Sequence, residues 1–241
     1  MKRLSFAIAA ALFTAAPLSA QTTFRGQSLN PGQTVTGAAL TARNSFNGGL
    51  AASVATQDFE SIPMGSIASG LTLNFGFAGN ATIQGSGSVT NTVFSDAFAT
   101  SGSRYVLATV GPSSSFEVTF AQRVAAFGFY GTDLGDFNGR LTLEFFNGSS
   151  LIDEFLVQDG DLTGAQIPEL NGNLLFWGVQ YGSNAFDRIN FRMEGSIDVF
   201  SFDDMTVADA RDVIGVPEPG SVALALTGLV GLGLVARRRR A

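Results

Sequence analysis

The chain has 241 residues, with 20 acidic and 14 basic side chains and neither histidine nor cysteine. These absences exclude a Ser-His-Asp triad, a thiol nucleophile and a zinc site built from His or Cys. Paired carboxylates, as in glycoside hydrolysis, and oxygen-ligated calcium are the chemistries that remain.

The first 20 residues are predicted to be a secretory signal peptide. Lys2 and Arg3 precede an apolar segment at residues 4–16, and Ala20 offers a small residue at the cut. Cleavage there implies passage through the Sec translocon and cutting by signal peptidase. The alternative is an uncleaved N-terminal membrane helix, which the shortness of the apolar segment disfavours.

The body between the two chain ends is acidic. Residues 21–216 carry eight arginines, 19 acids and no lysine, a net charge near −11. Such a surface repels nucleic acid, so no nucleic-acid partner is predicted. Residues 21–56 are rich in Thr, Asn, Gly and Ala, and are predicted to form an N-terminal arm or the first strand or two.

Residues 57–207 are predicted to be one all-β domain, an antiparallel β-sandwich or jelly roll. Apolar and polar residues alternate along its segments, and turn residues separate them roughly every 8–12 residues. Asn147 and Gly148 mark the clearest hairpin turn. No stretch shows a convincing helical period. The predicted strands cover residues 71–77, 116–120, 124–130, 141–145, 151–157, 175–181, 189–193 and 197–207.

A glycine-bounded loop with the sequence GTDLGDFNGR offers the candidate metal site. Asp133, Asp136 and Asn138 bring short oxygen ligands close together between two strands, as calcium requires. The spacing differs from that of the EF-hand loop. The alternative is an ordinary turn in which these side chains cap backbone amides. Calcium is therefore the one candidate cofactor.

Other carboxylates occur in pairs, but no catalytic residue is predicted. Asp203 and Asp204 are neighbours on a strand, so their side chains are expected to point to opposite faces. Asp153 and Glu154 form another adjacent pair, and residues 159–161 form an acidic turn. None of these sets lies in a recognisable glycosidase motif.

Trp177 and Tyr181 are the candidate ligand-binding residues. Two aromatic rings on one strand face could stack against a sugar ring. The alternative is core packing, because the same strand face carries Leu175 and Val179.

The C-terminal end is predicted to be a protein-sorting signal. Residues 208–215 are predicted to be a linker to a short polar motif, an uncharged apolar segment at residues 221–236 and a basic cluster. Sixteen helical residues span about 24 Å, slightly less than the hydrocarbon core of a bilayer. Arginines stay on the cytoplasmic side, so the body lies outside. The motif consists of Val216, Pro217, Glu218, Pro219 and Gly220. The basic cluster, which would act as the membrane stop, consists of Arg237, Arg238, Arg239 and Arg240.

This order of motif, apolar segment and arginines resembles the PEP-CTERM sorting signal of Gram-negative bacteria. The resemblance implies that the chain is anchored in the inner membrane until an exosortase removes the tail, and that the protein then reaches the cell surface or the extracellular space. A permanent anchor is the alternative. The same tail is also known as an ice-binding-protein C-terminal domain. Thr34 and Thr36 stand alone here, without the repeated array of an ice-binding surface.

These features predict an exported protein of the cell surface or extracellular matrix. Proteins with a PEP-CTERM tail usually come from organisms that make extracellular polysaccharide. The resemblance therefore implies a non-catalytic carbohydrate-binding module with exopolysaccharide as its partner. The alternatives are a glycan-active enzyme with paired carboxylates and a purely structural matrix subunit.

Overall fold

The computed structural model describes residues 21–29, 31–135, 139–157, 171–195 and 197–214. The predicted signal peptide, the sorting motif and the apolar segment lie outside these residues. Within them the chain forms one α-helix, α1 (Gly37–Gly48), and 14 strands. The strands are β1 (Gln21–Ser28), β2 (Thr56–Gln57), β3 (Gly65–Ser66), β4 (Leu71–Asn74), β5 (Asn80–Gly85), β6 (Gly87–Thr90), β7 (Tyr105–Val110), β8 (Phe116–Val124), β9 (Ala126–Thr132), β10 (Arg140–Asn147), β11 (Ser150–Leu156), β12 (Leu174–Tyr181), β13 (Phe186–Glu194) and β14 (Asp198–Ala208).

In the described residues these strands form two antiparallel sheets, which confirms the predicted all-β sandwich. The large sheet has eight strands in the order β1-β12-β9-β14-β7-β6-β3, with β2 paired to β14. The small sheet has six strands in the order β11-β10-β13-β8-β5-β4. The hairpin predicted at Asn147 and Gly148 is present, joining β10 to β11.

Phenylalanines fill the space between the sheets. Phe129 and Phe202 of the large sheet stack with ring centroids 5.0 Å apart. Phe116 and Phe191 of the small sheet pack edge to face at 4.8 Å. Phe116 also lies 5.2 Å from Phe202, across the two sheets. Such pairs add about 0.5–1.5 kcal/mol each beyond the apolar area they bury.

The helix α1 was not predicted, because its sequence GAALTARNSFNG has a weak apolar period and several poor helix formers. Tertiary packing stabilises it instead. Ala39, Ala42 and Phe46 are buried against the outer face of the large sheet. A Cβ atom on Gly128 or on its cross-strand partner Gly178 would lie within 3.0 Å of the Phe46 ring, so only glycine admits the ring there.

Two further segments differ from the sequence prediction. Phe77, expected on a strand face with Leu73 and Phe75, lies on a short 3-10 turn and is 66% exposed, because Gly76 (φ +59°) ends the alternation. Residues 208–214 are folded rather than a free linker. The amide of Ala51 donates to the Asp212 carbonyl at 2.7 Å, and the amide of Ile214 donates to the Gly49 carbonyl at 2.9 Å.

The sandwich has two ends, which we call the tail end and the distal end. The tail end contains Gln21, which pairs with Tyr181, and Ala126, which pairs with Ala208. The chain continues from this end towards residue 215. The distal end contains the turn between β7 and β8, and also Asp198, which pairs with Val110.

Candidate functional site at the distal end

Two adjoining grooves lie at the distal end, beside the turn that joins β7 to β8. One groove has a volume of about 480 Å³ and the other of about 390 Å³. They share Ser115 and Asn190. The first groove is lined by Ser66, Ala68, Gln84, Gly85, Ser86, Gly87, Ser115, Glu117 and Asn190, and the second by Gly111, Pro112, Ser113, Ser114, Ser115, Asn190, Phe191, Arg192 and Met193.

A close crossing of two chain segments shapes these grooves. Between β5 and β6 the chain passes from the small sheet to the large one, and the Ser86 amide donates to the Ser115 carbonyl at 2.8 Å. A Cβ atom on Gly85 would lie 2.1 Å from the Ser115 carbonyl oxygen, and Gly85 has φ +150°. Glycine is therefore required at this crossing.

The strand register places a row of polar side chains across the outer face of the small sheet. Glu117 is the cross-strand partner of both Gln84 and Asn190, and Asn190 is also the partner of Glu144. The Asn190 amide donates to Glu144 at 2.8 Å. These positions offer donors and acceptors next to one another, at the spacing of adjacent strands.

Arginines balance the carboxylates of this row. Arg192 donates to Glu194, to Glu144 at 2.5 Å and to Glu154 at 2.7 Å. Hydrogen bonds to Glu194 and then to Glu144 raise the pKa of Arg192. Arg188 pairs with Glu117 at 3.1 Å. The face is thus polar and internally paired, which suits hydrogen bonding to an uncharged ligand.

In the sequence FDRINFR, Asn190 and both flanking arginines alternate with apolar residues, a pattern which predicts that they point away from the core. The structure agrees, since these three side chains are partly exposed while Ile189 and Phe191 are buried. The grooves themselves were missed, because they depend on contacts between distant strands. Glu117 meets Asn190 only through the pairing of β8 with β13. The nearest signal in the sequence is the cluster of Gly and Ser at residues 85–88 and 111–115.

A third groove of about 390 Å³ lies at the same end and includes Asp96, Phe98 and Asn171. The side chain of Asn171 donates to Asp96. Next to this groove, Asp133 of the predicted calcium loop is buried, and its carboxylate accepts from the Gly172 amide at 2.8 Å. Burial raises the pKa of Asp133, although hydrogen bonds from the Gly172 and Asp96 amides oppose the effect.

The calcium site remains a prediction. Asp136 and Asn138 lie outside the described residues, and no cluster of three or more acidic side chains able to hold a metal occurs within the described ranges. The bonds of Asp133 agree with the ordinary-turn alternative. Thermal melting with and without a chelator tests the site: a lower melting temperature in chelator supports calcium, and an unchanged one removes it.

The two aromatic candidates lie in the core. Trp177 and Tyr181 are 2% and 1% exposed. The Trp177 ring packs 5.4 Å from Phe155 and 5.8 Å from Phe145. These contacts cover the rings, so the structure supports the core alternative for Trp177 and Tyr181 over sugar stacking.

The two carboxylates of the Asp203-Asp204 pair do not point to opposite faces, which corrects the sequence prediction. They are 0% and 8% exposed, and both reach the same loop. A register shift between Asp203 and Thr206, with φ +48° at Asp204, breaks the alternation of β14.

This pair fastens the loop around residue 100 to the large sheet. Asp203 accepts from the Thr100 amide at 2.7 Å, and Asp204 accepts from the Ser101 hydroxyl at 2.7 Å. Burial and then the neighbouring Asp204 charge raise the pKa of Asp203 to about 8.

The other adjacent pair serves two separate contacts. Asp153 accepts from the Tyr181 hydroxyl at 2.6 Å, whereas Glu154 accepts from Arg192 on the outer face. Burial, with the hydrogen bond to Asp153, raises the pKa of Tyr181. The acidic turn predicted at residues 159–161 lies outside the described residues.

Comparisons with solved structures return other β-sandwich domains. The K2 cleaved adhesin domain of Lys-gingipain is 14% identical, with a TM-score of 0.40 over 64% of this chain and 97% of the adhesin domain. TmCBM61, solved in complex with β-1,4-galactotriose, is 14% identical, with a TM-score of 0.29 over 64% of this chain and 94% of its own. At these TM-scores neither similarity bears on function. No curated protein matches the chain.

In the part of the chain that the structure describes, no helix has both the length and the apolar character that a membrane crossing requires. The predicted apolar segment at residues 221–236 lies beyond that part. The family model of the PEP-CTERM protein-sorting motif matches residues 215–240, the region singled out in the sequence. These residues therefore carry a PEP-CTERM protein-sorting motif, which implies processing by an exosortase and indicates an exported protein.

Proposed function

We propose that this chain is a non-catalytic module that binds an extracellular polysaccharide at the cell surface or in the matrix. The observation that carries the proposal is the position of the two adjoining grooves. They lie at the distal end of the sandwich, opposite the end from which the chain continues to its sorting motif. A module held by its tail would present these grooves away from the membrane.

The groove lining has the chemistry that sugars need. A sugar hydroxyl both donates and accepts hydrogen bonds, and so do the side chains of Gln84, Asn190 and Ser115. Glu117 adds an acceptor, and Arg192 adds donors. Since the grooves share Ser115 and Asn190, they form a path that more than one sugar unit of a chain could occupy.

The charge of the body favours an uncharged glycan. With a net charge near −11 over residues 21–216, the body repels an acidic polysaccharide at long range. The arginines of the polar row are already paired with carboxylates, as Arg188 is with Glu117. We therefore expect neutral polysaccharides to bind more tightly than acidic ones at low salt.

Two glutamines provide a matched test. Gln84 lies in the first groove and donates to the Ala68 carbonyl at 3.1 Å. Gln122 lies at the tail end and donates to the Phe77 carbonyl at 2.7 Å. Both side chains are exposed, and each makes one bond to a backbone carbonyl. Changing each to Ala therefore alters similar local structure at opposite ends of the sandwich.

The experiment measures binding of the purified body to a panel of neutral and acidic polysaccharides by calorimetry. We expect Gln84→Ala and Asn190→Ala to weaken binding about tenfold, the effect of one lost hydrogen bond of roughly 1.4 kcal/mol, and Gln122→Ala to leave it unchanged. Absence of binding to every glycan would contradict the proposed function. Equal losses in the Gln84 and Gln122 variants would place the site elsewhere.

A structural matrix subunit is a second candidate, favoured by one edge of the small sheet. The edge strand β11 exposes Leu151 (52%) and Ile152 (37%). Edge strands with exposed apolar residues can pair with another chain. Light scattering of the body across a concentration series tests this candidate, and self-association that is lost in Ile152→Lys would support it.

A further inference from the structure

Both chain ends that lead to predicted membrane-directed segments leave the body at the tail end. Gln21, the residue after the predicted signal-peptide cut, pairs with Tyr181. Ile214, the last described residue, bonds to Gly49 close to the end of β14. In the large sheet only β12 and β9 lie between β1 and β14, which places these two strands roughly 14 Å apart at the usual spacing of strands.

The chain from the body to the predicted membrane segment is short. Six residues, 215–220, lie between Ile214 and Ser221, where the apolar run begins. Fully extended, the chain from Ile214 to Ser221 reaches at most about 25 Å. While residues 221–236 lie in a bilayer, the tail end must therefore stay within about 25 Å of its surface.

The tail end also carries the two most exposed large apolar side chains among the described residues. Phe77 is 66% exposed and Ile214 is 68% exposed. Arg211 lies between them, and its side chain is 66% exposed. Its guanidinium is 5.0 Å from the centre of the Phe77 ring, and Arg211 precedes Ile214 by three residues in the chain. Exposed apolar side chains such as these can enter the headgroup region of a bilayer, and an arginine beside them can keep its charged group in water.

Phe77 is held outward by its local structure. Gly76 turns the chain with φ +59°, and the Gln122 side chain donates to the Phe77 carbonyl at 2.7 Å. The neighbouring Phe75 is buried, so the core is filled without Phe77. Asp209 and Asp212 lie beside Arg211, so the contact surface has no excess of positive charge for anionic lipid.

We propose that the tail end lies against the lipid surface in the anchored form of this protein, with Phe77 and Ile214 in the headgroup region. The occupant of this surface is the bilayer that holds residues 221–236. The short tether keeps the surface at a high effective concentration next to the lipid, so two apolar side chains are enough for contact. This inference rests on the sorting tail and not on glycan binding.

The absence of cysteine makes a clean test possible, because one introduced cysteine accepts a label at a single site. Ser53→Cys labels the tail end, where the Ser53 hydroxyl is 3.5 Å from Asp212. Ser113→Cys labels the distal turn. Both serines are exposed. The full chain is labelled with a polarity-sensitive fluorophore and inserted into phosphatidylcholine vesicles. These vesicles contain a lipid that carries a quencher near its headgroup, and only vesicles recovered by flotation are measured.

We expect quenching at position 53 to be at least twice that at position 113. The double variant Phe77→Ser with Ile214→Ser should reduce quenching at position 53 at least twofold, while Phe94→Ser should not. Phe94 is the matched control, since it is 51% exposed and bridges to Ala97, next to the distal groove at Asp96. Equal quenching at positions 53 and 113, or no effect of the double variant, would overturn the proposal. Quenching between two labelled chains without lipid quencher would instead indicate a second copy at this surface and also overturn it.

Discussion

The distal and tail ends of this sandwich are built from the same strands but have different surfaces. The distal end contains short turns rich in Gly and Ser, and the three grooves described there are lined mainly by polar groups. The tail end carries both exits of the chain, and Phe77 and Ile214 are exposed there. A rigid core thus separates a polar surface suited to a hydrophilic ligand from a surface next to the predicted anchor.

β8 shows this separation within a single element. Glu117, near its start, lines the first distal groove, whereas Gln122, near its other end, supports Phe77. Nine strand residues span roughly 26 Å, so the two surfaces do not share side chains. Changes at one end should therefore leave the function of the other intact, unless they affect the core between them.

The largest effect is expected from a change in that core. Trp177→Ala removes a ring that packs on Phe145 and Phe155, and the resulting cavity should lower the free energy of unfolding by about 3–5 kcal/mol. Denaturant unfolding measures this loss, which should impair both ends together. A variant of normal stability that had lost only glycan binding would contradict the core assignment.

The next effect concerns pH and the loop held by Asp203. The folded chain keeps a proton on Asp203, whose pKa is about 8, while the unfolded chain releases it near pH 4. Stability should therefore fall as the pH rises from about 4 to 8, by up to a few kcal/mol, and Asp133 should act in the same direction.

Melting temperatures measured between pH 5 and pH 8 test this dependence. Asp203→Asn cannot ionise and should show a flatter profile than the wild type. The NH2 group that replaces one carboxylate oxygen cannot accept the hydrogen bond that Asp203 receives from the backbone amide of Asp204. Identical slopes in the two proteins would show that Asp203 does not hold its proton in the folded state.

A smaller effect is expected at the tail end from Asp209→Ala. Asp209 accepts from the Arg211 amide at 2.9 Å and from Asn184 at 2.9 Å, and the bond to the Arg211 side chain lowers its pKa to about 2. Its loss should cost about 1–2 kcal/mol and loosen residues 209–214. Limited proteolysis should then cut this segment faster, with glycan binding unchanged. Weaker glycan binding in this variant would show that the two ends are coupled.

Much of the fold could be predicted from the sequence, because alternation reports which strand faces are buried. The pattern of Leu141, Leu143 and Phe145 matches β10, and the outward positions of β13 were assigned correctly. Alternation failed where a glycine or a bulge interrupts the strand, as at Gly76 and at Asp204. α1 was missed because its stability comes from the fit of Phe46 against glycines on two other strands.

The candidate site was less predictable than the fold. Trp177 was considered for sugar binding because of its chemistry, but its position in the core follows from the pairing of β12 between β1 and β9. The first groove joins residues from β5, β8 and β13. Two of these residues, Gln84 and Asn190, are more than 100 positions apart in the chain. Only the assembled sheets bring these residues together. The sorting motif, by contrast, is contiguous and was found from the sequence directly.

The most direct test of the proposed division between the two ends is hydrogen–deuterium exchange of the body with and without a polysaccharide that it binds. We expect slower exchange at residues 84–87, 111–117 and 190–193, and no change at residues 49–54 and 209–214. Protection at the tail end, or protection spread evenly over both ends, would contradict the account.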